Sequence, residues 1–461
     1  MSSTADHLPV VVIGAGPVGL AAAAHLIERG VEPLVVEQGD AVGAAVSSWG
    51  HVRLFSPWRY DVDAAALRLL EPTGWRSPDP DTLPTGAELV ADYLTPLAAL
   101  PQITERLRLG SKVTGITRDG ADKTRSLGRD RQPYRVRIVA GGQVQDVLAR
   151  AVIDTSGTWD HTNPIGTGGL PALGEKENAG YLTGPLPDVL GRDRARFAGT
   201  HTLVVGMGHS AANTLLALVE LAETAPGTTI TWAIRGGSAR RLFGGGSDDE
   251  LPARGLLGSR LKEATESGRI TLIKRASIEQ ISGEGQRVRV TGSTRDEVLD
   301  VTVDQVVNAT GFRPDLDIVR EVRLDLDSAM ECPAGLAELI DPNYHSCGTV
   351  PAHGEQLLRH PDAGFYIAGM KSYGRAPTFL LATGYEQVRS IAAALAGDTA
   401  AAMAVELNLP ATGVCSTDVA ADGEETSCCG TNETPQLLTI GAPATTGFAT
   451  GLAHGRSADS A

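Results

Sequence analysis

The stretch LPVVVIGAGPVGLAAAAHLI, residues 8–27, decides how the first part of this chain folds. It starts as an apolar strand, turns through Gly14, Gly16 and Gly19, and continues as an alanine-rich helix. Glycines at these positions allow a tight turn, a close approach of the backbone to a pyrophosphate, and close packing of helix on strand. Because a helix N-terminus also attracts phosphate groups, the stretch predicts a dinucleotide-binding unit.

A second apolar run, residues 33–36, ends at the acidic Glu37. A carboxylate at this point of a dinucleotide-binding unit can bind both hydroxyls of an adenosine ribose. The alternative is a glycine turn that binds nothing. Glu37 weighs against that alternative, because such a turn has no need of an acid after the next strand.

The same pattern recurs in residues 201–212, HTLVVGMGHSAA. Gly206 and Gly208 take the first two glycine positions, Ser210 follows, and Ala211 stands where the third glycine would be. Alanine is still small enough for the helix to pack on the strand. The sequence therefore predicts two nucleotide sites.

The strand after this second turn, residues 229–234, ends in Arg235 rather than in an acid. A carboxylate there would repel a 2′-phosphate, whereas a guanidinium can bind it through two hydrogen bonds. This favours NADPH over NADH. Arg240 and Arg241 follow closely and are either further phosphate ligands or solvated loop charges.

The composition excludes several classes of protein. The 461 residues are 42% hydrophobic, enough for two or three domains with full cores. A net charge of −15 argues against nucleic acid or an anionic membrane as a partner. No run approaches about 18 consecutive apolar residues, and residues 1–7 lack the features of a signal peptide. We therefore expect a cytoplasmic protein.

The pattern along the chain predicts an α/β fold with two Rossmann-like dinucleotide-binding domains, the second inserted into the first. Two apolar strands ending in small residues, at 151–157 and 303–311, indicate the crossings between them. A helix is expected at 86–100 and a hairpin-like insertion at 112–139. The predicted segments are the first domain at 1–165, the inserted domain at 166–302, the resumed first domain at 303–405, and a flexible tail rich in Thr, Ala, Gly and Ser at 406–461.

The two glycine motifs, Glu37 and the segment Ala309-Thr310-Gly311-Phe312 together resemble the two-dinucleotide flavoproteins, and more narrowly the flavin-containing (class B) monooxygenases. The resemblance covers residues 8 to about 400. It implies FAD in the first domain and NADPH in the inserted one. It also implies that reduced flavin captures O2 as a C4a-(hydro)peroxide, which oxygenates a soft nucleophile or a carbonyl of a small-molecule substrate.

The resemblance also implies which residues lie beside the flavin. Residues 47–53 occupy the place where family members line the isoalloxazine, so Trp49, Arg53 and Ser56 are the candidate catalytic residues, with core packing as the alternative role for Trp49. A helix beginning after residue 378 would aim its N-terminus at the flavin. The further residues predicted to bind a cofactor are Ser48, Gly157, Gly311, Gly369 and Thr378.

Two departures from the family put the lifetime of the flavin peroxide in doubt. The FxGxxxH fingerprint is replaced by a compressed FAGTH at 197–201. Many family members place an asparagine beside the peroxide, and residues 53–57, RLFSP, contain none.

The cysteines are Cys332, Cys347, Cys415, Cys428 and Cys429, and no two form the CxxC pair that disulfide reductases of this fold require. Three soft thiolates in the tail, Cys415, Cys428 and Cys429, suit trivalent arsenic or zinc. The tail and the segment GMKSYGRAP at 369–377 resemble flavin monooxygenases encoded in actinobacterial arsenic-resistance clusters. Alternatively the tail thiols are unused. Cys332 and Cys347 are either buried apolar thiols or substrate ligands.

Three functions remain open at this point. The first is an FAD- and NADPH-dependent monooxygenase acting on a trivalent arsenical or a sulfur compound. The second is an NADPH-dependent flavoprotein reductase or oxidase that passes electrons to O2, a quinone or a thiol. The third is a non-enzymatic metalloid-binding or redox-sensing protein. Histidine-based metal sites and a serine hydrolase lack their motifs, HExxH and GxSxG.

Overall fold

The structure is a computed structural model that describes residues 7–239, 242–243, 252–341, 350–377 and 379–407. Its strands run in chain order as follows: β1 Val10–Ile13, β2 Pro33–Val36, β3 Leu107–Arg108, β4 Ser111–Arg118, β5 Tyr134–Ala140, β6 Gln143–Ala149, β7 Ala151–Asp154, β8 Leu182–Thr183, β9 His201–Val205, β10 Thr229–Ala233, β11 Thr271–Ile273, β12 Ser277–Glu284, β13 Arg287–Ser293, β14 Val298–Val303, β15 Gln305–Asn308 and β16 Phe365–Ile367.

The helices connect these strands and cover the sheets. They are α1 Pro17–Glu28, α2 Ala44–Ser48, α3 Trp58–Asp61, α4 Ala64–Leu70, α5 Gly86–Glu88, α6 Thr95–Ala98, α7 Pro101–Thr104, α8 Arg194–Phe197, α9 His209–Thr224, α10 Pro252–Glu266, α11 Ala334–Ile340, α12 Leu381–Leu395 and α13 Thr399–Met403. A π-helical segment spans Leu89–Leu94, and 3₁₀ turns occur at Glu71–Thr73, Arg129–Arg131, Thr167–Gly169, Ala179–Tyr181, Asp317–Val319, Glu355–Leu358 and Gly369–Tyr373.

Two parallel five-stranded sheets form the frame of the molecule, in the orders β16-β7-β1-β2-β3 and β11-β10-β9-β15-β8. Each sheet is built from the same unit. A strand, a helix and a second strand are followed by a three-stranded antiparallel sheet, β4-β5-β6 or β12-β13-β14, and by a return strand, β7 or β15, that pairs with the first strand. The chain thus folds as two Rossmann-like domains, and β16 returns it to the first sheet. The predicted fold class is confirmed.

The first sheet is covered on both faces, which explains why β1 is a continuous apolar run. Val10 and Val12 point into the core beneath α1 and α12. Val11 and Ile13, the alternate residues, point into the core shared with β4 and β5. Helices α1 and α12 therefore pack on the same face, side by side, with their N-termini at the carboxyl edge of the sheet.

Several predicted elements differ from the structure. Strand β15 belongs to the second sheet. The chain therefore returns to the first domain after β15, and not at residue 303 as predicted. The inserted domain also contains β8, an edge strand of the second sheet that was not predicted. The helix expected at 86–100 is divided into α5, the π-helical segment and α6. The hairpin-like insertion has a third strand, β6, and the tail from residue 408 onwards lies outside the described residues.

Candidate functional site

At two positions of the first glycine turn, the protein's own backbone requires glycine. Gly14 has a φ of +96°, and a Cβ at Gly19 would lie 1.9 Å from the carbonyl oxygen of Gly14. No side chain other than hydrogen fits Gly19, because α1 begins directly above the end of β1. In the second domain Gly206 is equally constrained, since its φ is +130° and a Cβ there would lie 2.0 Å from the Ala309 carbonyl oxygen.

The middle glycines, Gly16 and Gly208, are different. Their φ angles of −79° and −99° suit any residue, and no protein atom lies within 4 Å of the position a Cβ would take. They cap the N-termini of α1 and α9, and neither helix has a side-chain cap or an acidic residue in its first turn. Neither backbone strain nor packing requires glycine here, so the open space suits an anion bound at each helix end.

Glu37 links the first glycine turn to the end of β2. Its carboxylate accepts hydrogen bonds of 2.7 Å from the backbone N–H groups of Ala15 and Gly39, and the side chain is buried. A carboxylate has about four lone-pair sites, so two remain for ribose hydroxyls. The position fits the predicted role, and ribose binding stays a prediction.

Arginines gather where β10 and β11 end side by side in the second sheet. Arg235 follows β10, is exposed, and forms no ion pair within the described part of the chain. Arg275 follows β11 with a φ of +56°, donates its backbone N–H to the Gly236 carbonyl, and places its guanidinium against Gly237. Sequence reasoning missed Arg275, although a basic pair after a strand was a usable signal. Arg240 and Arg241 lie outside the described residues.

An aromatic cluster joins the two domains. The rings of Trp49 and Trp159 are 6.4 Å apart, and those of Trp159 and Phe312 are 5.3 Å apart. Phe55 lies 5.1 Å from the ring of His209, the first residue of α9. Trp159 and Phe312 stand just after Gly157 and Gly311, the positive-φ glycines that follow β7 and β15. The cluster therefore lies where the carboxyl ends of both sheets meet.

The structure brings together only part of the predicted catalytic set. Trp49 lies in the aromatic cluster, half-buried. Arg53 is exposed and turned towards the Leu83 carbonyl and the Glu88 carboxylate, 3.8 Å away, so it holds its own loop. Ser56 is buried and donates a hydrogen bond to Asp61. Ser48, predicted to touch the cofactor, is exposed and bonds the Ala45 carbonyl.

A buried ion pair, missed by sequence reasoning, supports the edge of the first sheet. Lys371 Nζ lies 2.6 Å from Asp154 Oδ2, and both side chains are fully buried. Ser156 Oγ donates to the other oxygen of Asp154. Because an unpaired charge at this depth would be costly, the pair holds the turn containing Gly369 against the end of β7. Gly369 also donates its N–H to Gln387 of α12, while Thr378 lies outside the described residues.

Of the five cysteines, the structure describes one, Cys332. Cys332 is fully buried, and burial raises the pKa of its thiol to about 12, so its role as a buried apolar thiol is the one the structure supports. Cys347, Cys415, Cys428 and Cys429 lie outside the described residues.

Within the described ranges, no three His, Cys, Asp or Glu side chains are grouped to hold a metal ion. No described helix combines the length and apolarity needed to cross a membrane.

Comparison with protein families defines the class. Residues 9–106 match the FAD dependent oxidoreductase family, and residues 186–334 match the Pyridine nucleotide-disulphide oxidoreductase family. A search of curated proteins finds no match. With the two glycine turns, these matches indicate a flavin-dependent oxidoreductase whose cofactors are FAD and a pyridine nucleotide.

Solved structures share the two-domain fold. Bacillithiol disulfide reductase Bdr from Bacillus cereus is 19% identical, with a TM-score of 0.62 over 85% of this chain and 99% of that one. An ornithine N-hydroxylase from Kutzneria sp. 744 is 17% identical, with a TM-score of 0.55 over 83% and 98%. A flavin monooxygenase from Stenotrophomonas maltophilia, solved as a double mutant, is 23% identical, with a TM-score of 0.52 over 85% and 98%.

Proposed function

We propose that this protein is an NADPH-dependent flavin monooxygenase that oxygenates a soft nucleophilic centre, a trivalent arsenical or a sulfur compound. The observation that carries the proposal is the aromatic cluster of Trp49, Trp159 and Phe312 at the junction of the two nucleotide domains. Its apolar rings, all half-buried, would limit the access of water to the junction. The sequence has no CxxC pair to which electrons could pass instead.

FAD, when bound, supplies the redox chemistry: it takes a hydride from NADPH and in reduced form reacts with O2. The chain's own residues bind and orient. The N-termini of α1 and α9, at Gly16 and Gly208, would hold the pyrophosphates, and Glu37 would hold the ribose. For NADPH we propose that Arg235 and Arg275 together bind the 2′-phosphate. Overall, NADPH, H⁺, O2 and the substrate give NADP⁺, water and the oxygenated substrate.

A second candidate is an NADPH oxidase or reductase. It is favoured by the loop at 53–57, which has no asparagine and whose one cation, Arg53, is turned towards Leu83 and Glu88. Without the asparagine that many family members place there, oxygen would leave as H2O2.

The ratio of H2O2 released to NADPH consumed separates these candidates. With methylarsenite or a thioether present, we expect the ratio to fall well below its value without substrate, because the oxygen goes into product. Product should appear in proportion to the missing peroxide. A ratio of one that no soft substrate changes would establish the oxidase.

The tail cysteines are proposed to capture trivalent arsenic for this reaction. Truncation after Pro410 removes Cys415, Cys428 and Cys429 together. We expect FAD content and basal NADPH oxidation to stay unchanged, while methylarsenite-dependent turnover falls at low substrate concentration and recovers at high concentration. The measurement is a rate curve against methylarsenite, with arsenite binding as a second readout. Unchanged curves would show that the tail thiols are unused.

A further inference from the structure

One buried carboxyl near the domain junction has an oxygen without a partner. Asp61, the last residue of α3, is fully buried. Its Oδ1 accepts a hydrogen bond of 2.7 Å from Ser56 Oγ, and its Oδ2, equally buried, meets no hydrogen-bond partner in the described part of the chain. Leaving a carboxylate oxygen unsatisfied in the interior is costly, so such a group is kept for a reason other than stability.

Apart from Ser56, the groups around Asp61 do not stabilise the ionised form of its carboxyl. The Tyr385 hydroxyl of α12 donates to the Asp61 backbone carbonyl, not to its carboxyl, and the Tyr93 hydroxyl lies next to Tyr385. Asp63, two residues further along the chain, is hydrogen-bonded to His25 of α1 at 2.9 Å. Arg59, on the same helix, is turned outward to Asp81. Burial therefore raises the pKa of Asp61 to about 7.

Ser56 connects this carboxyl to the junction. It follows Phe55, whose ring lies against His209 at the N-terminus of α9. Asp61 itself packs beneath α12, whose N-terminal end lies beside the first turn of α1, since a Cβ at Gly384 would touch Val18. The segment that carries Ser56 and Asp61 thus runs from Phe55, which contacts the N-terminus of α9, to the surface of α12 in the first domain.

We propose that Asp61 stores a proton and delivers it through Ser56 to the domain junction, where each turnover consumes one. This rests on the proposed monooxygenase function, in which NADPH, H⁺ and O2 yield one water and one transferred oxygen atom. The Asp61 O–H bond breaks as Ser56 Oγ accepts the proton, and the Ser56 hydroxyl proton passes to the departing oxygen. Solvent then returns a proton to Asp61. Asp61 acts through Ser56 and is a positioning residue.

The first test needs no turnover. A carboxyl whose pKa is raised in the folded state from 3.8 to about 7 favours folding while protonated, and this contribution is lost as the pH rises through that interval. We expect Asp61→Asn, which cannot ionise, to melt above the wild type at about pH 8 and to lose that advantage at about pH 5. Asp81→Asn, an exposed carboxyl on a neighbouring loop, is the matched control and should show no such dependence.

The second test follows the reaction. Product formation by the wild type should fall as the pH rises past about 7, and Asp61→Asn should flatten this profile and lower the rate by about 100-fold, the usual contribution of a positioned acid. Ser56→Ala should lower the rate and keep a pH-dependent melting temperature, with the dependence moved to higher pH, because the hydrogen bond from Ser56 lowers the pKa of Asp61. A melting difference that is the same at both pH values, or one shared pH profile for wild type and Asp61→Asn, would overturn the proposal. A wild type that releases one H2O2 for each NADPH consumed would instead refute the monooxygenase function. The melting test would still report on the protonation of Asp61.

Discussion

Gly16→Val is expected to give a folded protein without flavin. The φ of −79° at Gly16 suits valine, and no protein atom lies within 4 Å of the added Cβ, so the fold should lose only about 1 kcal/mol from the weaker helix cap. The isopropyl group would, however, fill the space at the N-terminus of α1 where we propose that the FAD pyrophosphate binds. Purified variant should be colourless and melt close to the apoprotein of the wild type.

Gly208→Val is the matched control for this experiment. Gly208 caps α9 with a φ of −99° and has the same open space around its Cβ position. This variant should remain yellow and lose NADPH-dependent reduction of the flavin, because only the second site is blocked. A yellow Gly16→Val, or a wild type that FAD cannot reconstitute, would contradict the assignment of the first site. Gly19→Val is unsuitable, since its Cβ would collide with the Gly14 carbonyl.

The two nucleotide turns were predictable because their signal is local. Glycine spacing, the preceding apolar strand and the residue that ends the next strand all lie within a short segment, and each reports on a contact within that segment. The sheet to which β15 belongs was not predictable in this way. The two valines of β15, Val306 and Val307, indicate a buried strand and carry no information about its neighbours. Strand β6 was missed because its first four residues are exposed and three of those four are polar.

The side-chain pairings inside the site could not be predicted from the sequence, because most of the partners lie far apart along the chain. Lys371 and Asp154 are 217 positions apart, and Tyr385 reaches Asp61 across 324. Ser56 was selected for its place in a family pattern, yet its partner Asp61, only five residues away, was not, since nothing local shows that this carboxyl is buried. Burial depends on Tyr93 and α12, and therefore on the complete fold.

Arg235→Ala is expected to weaken NADPH binding by about tenfold or more while sparing NADH. Losing a charge-assisted, two-point contact with the 2′-phosphate costs roughly 1.5 to 3 kcal/mol, and NADH has no such phosphate. The measurement is the dissociation constant of each nucleotide for the FAD-loaded protein, with 2′,5′-ADP as a probe of the phosphate alone. Equal losses for NADPH and NADH would contradict the role of Arg235.

Arg275 allows a sharper version of the same test. Its φ of +56° is unfavourable for residues other than glycine, at a cost of about 1 kcal/mol or more. Arg275→Gly should therefore keep the backbone conformation and relieve this strain. A residue kept only for structure would then give a variant that is at least as stable and binds NADPH normally. If the Arg275 guanidinium shares the 2′-phosphate with Arg235, the variant will be as stable and bind NADPH more weakly. The double variant should also lose less than the sum of the two single losses, because both arginines act on one phosphate.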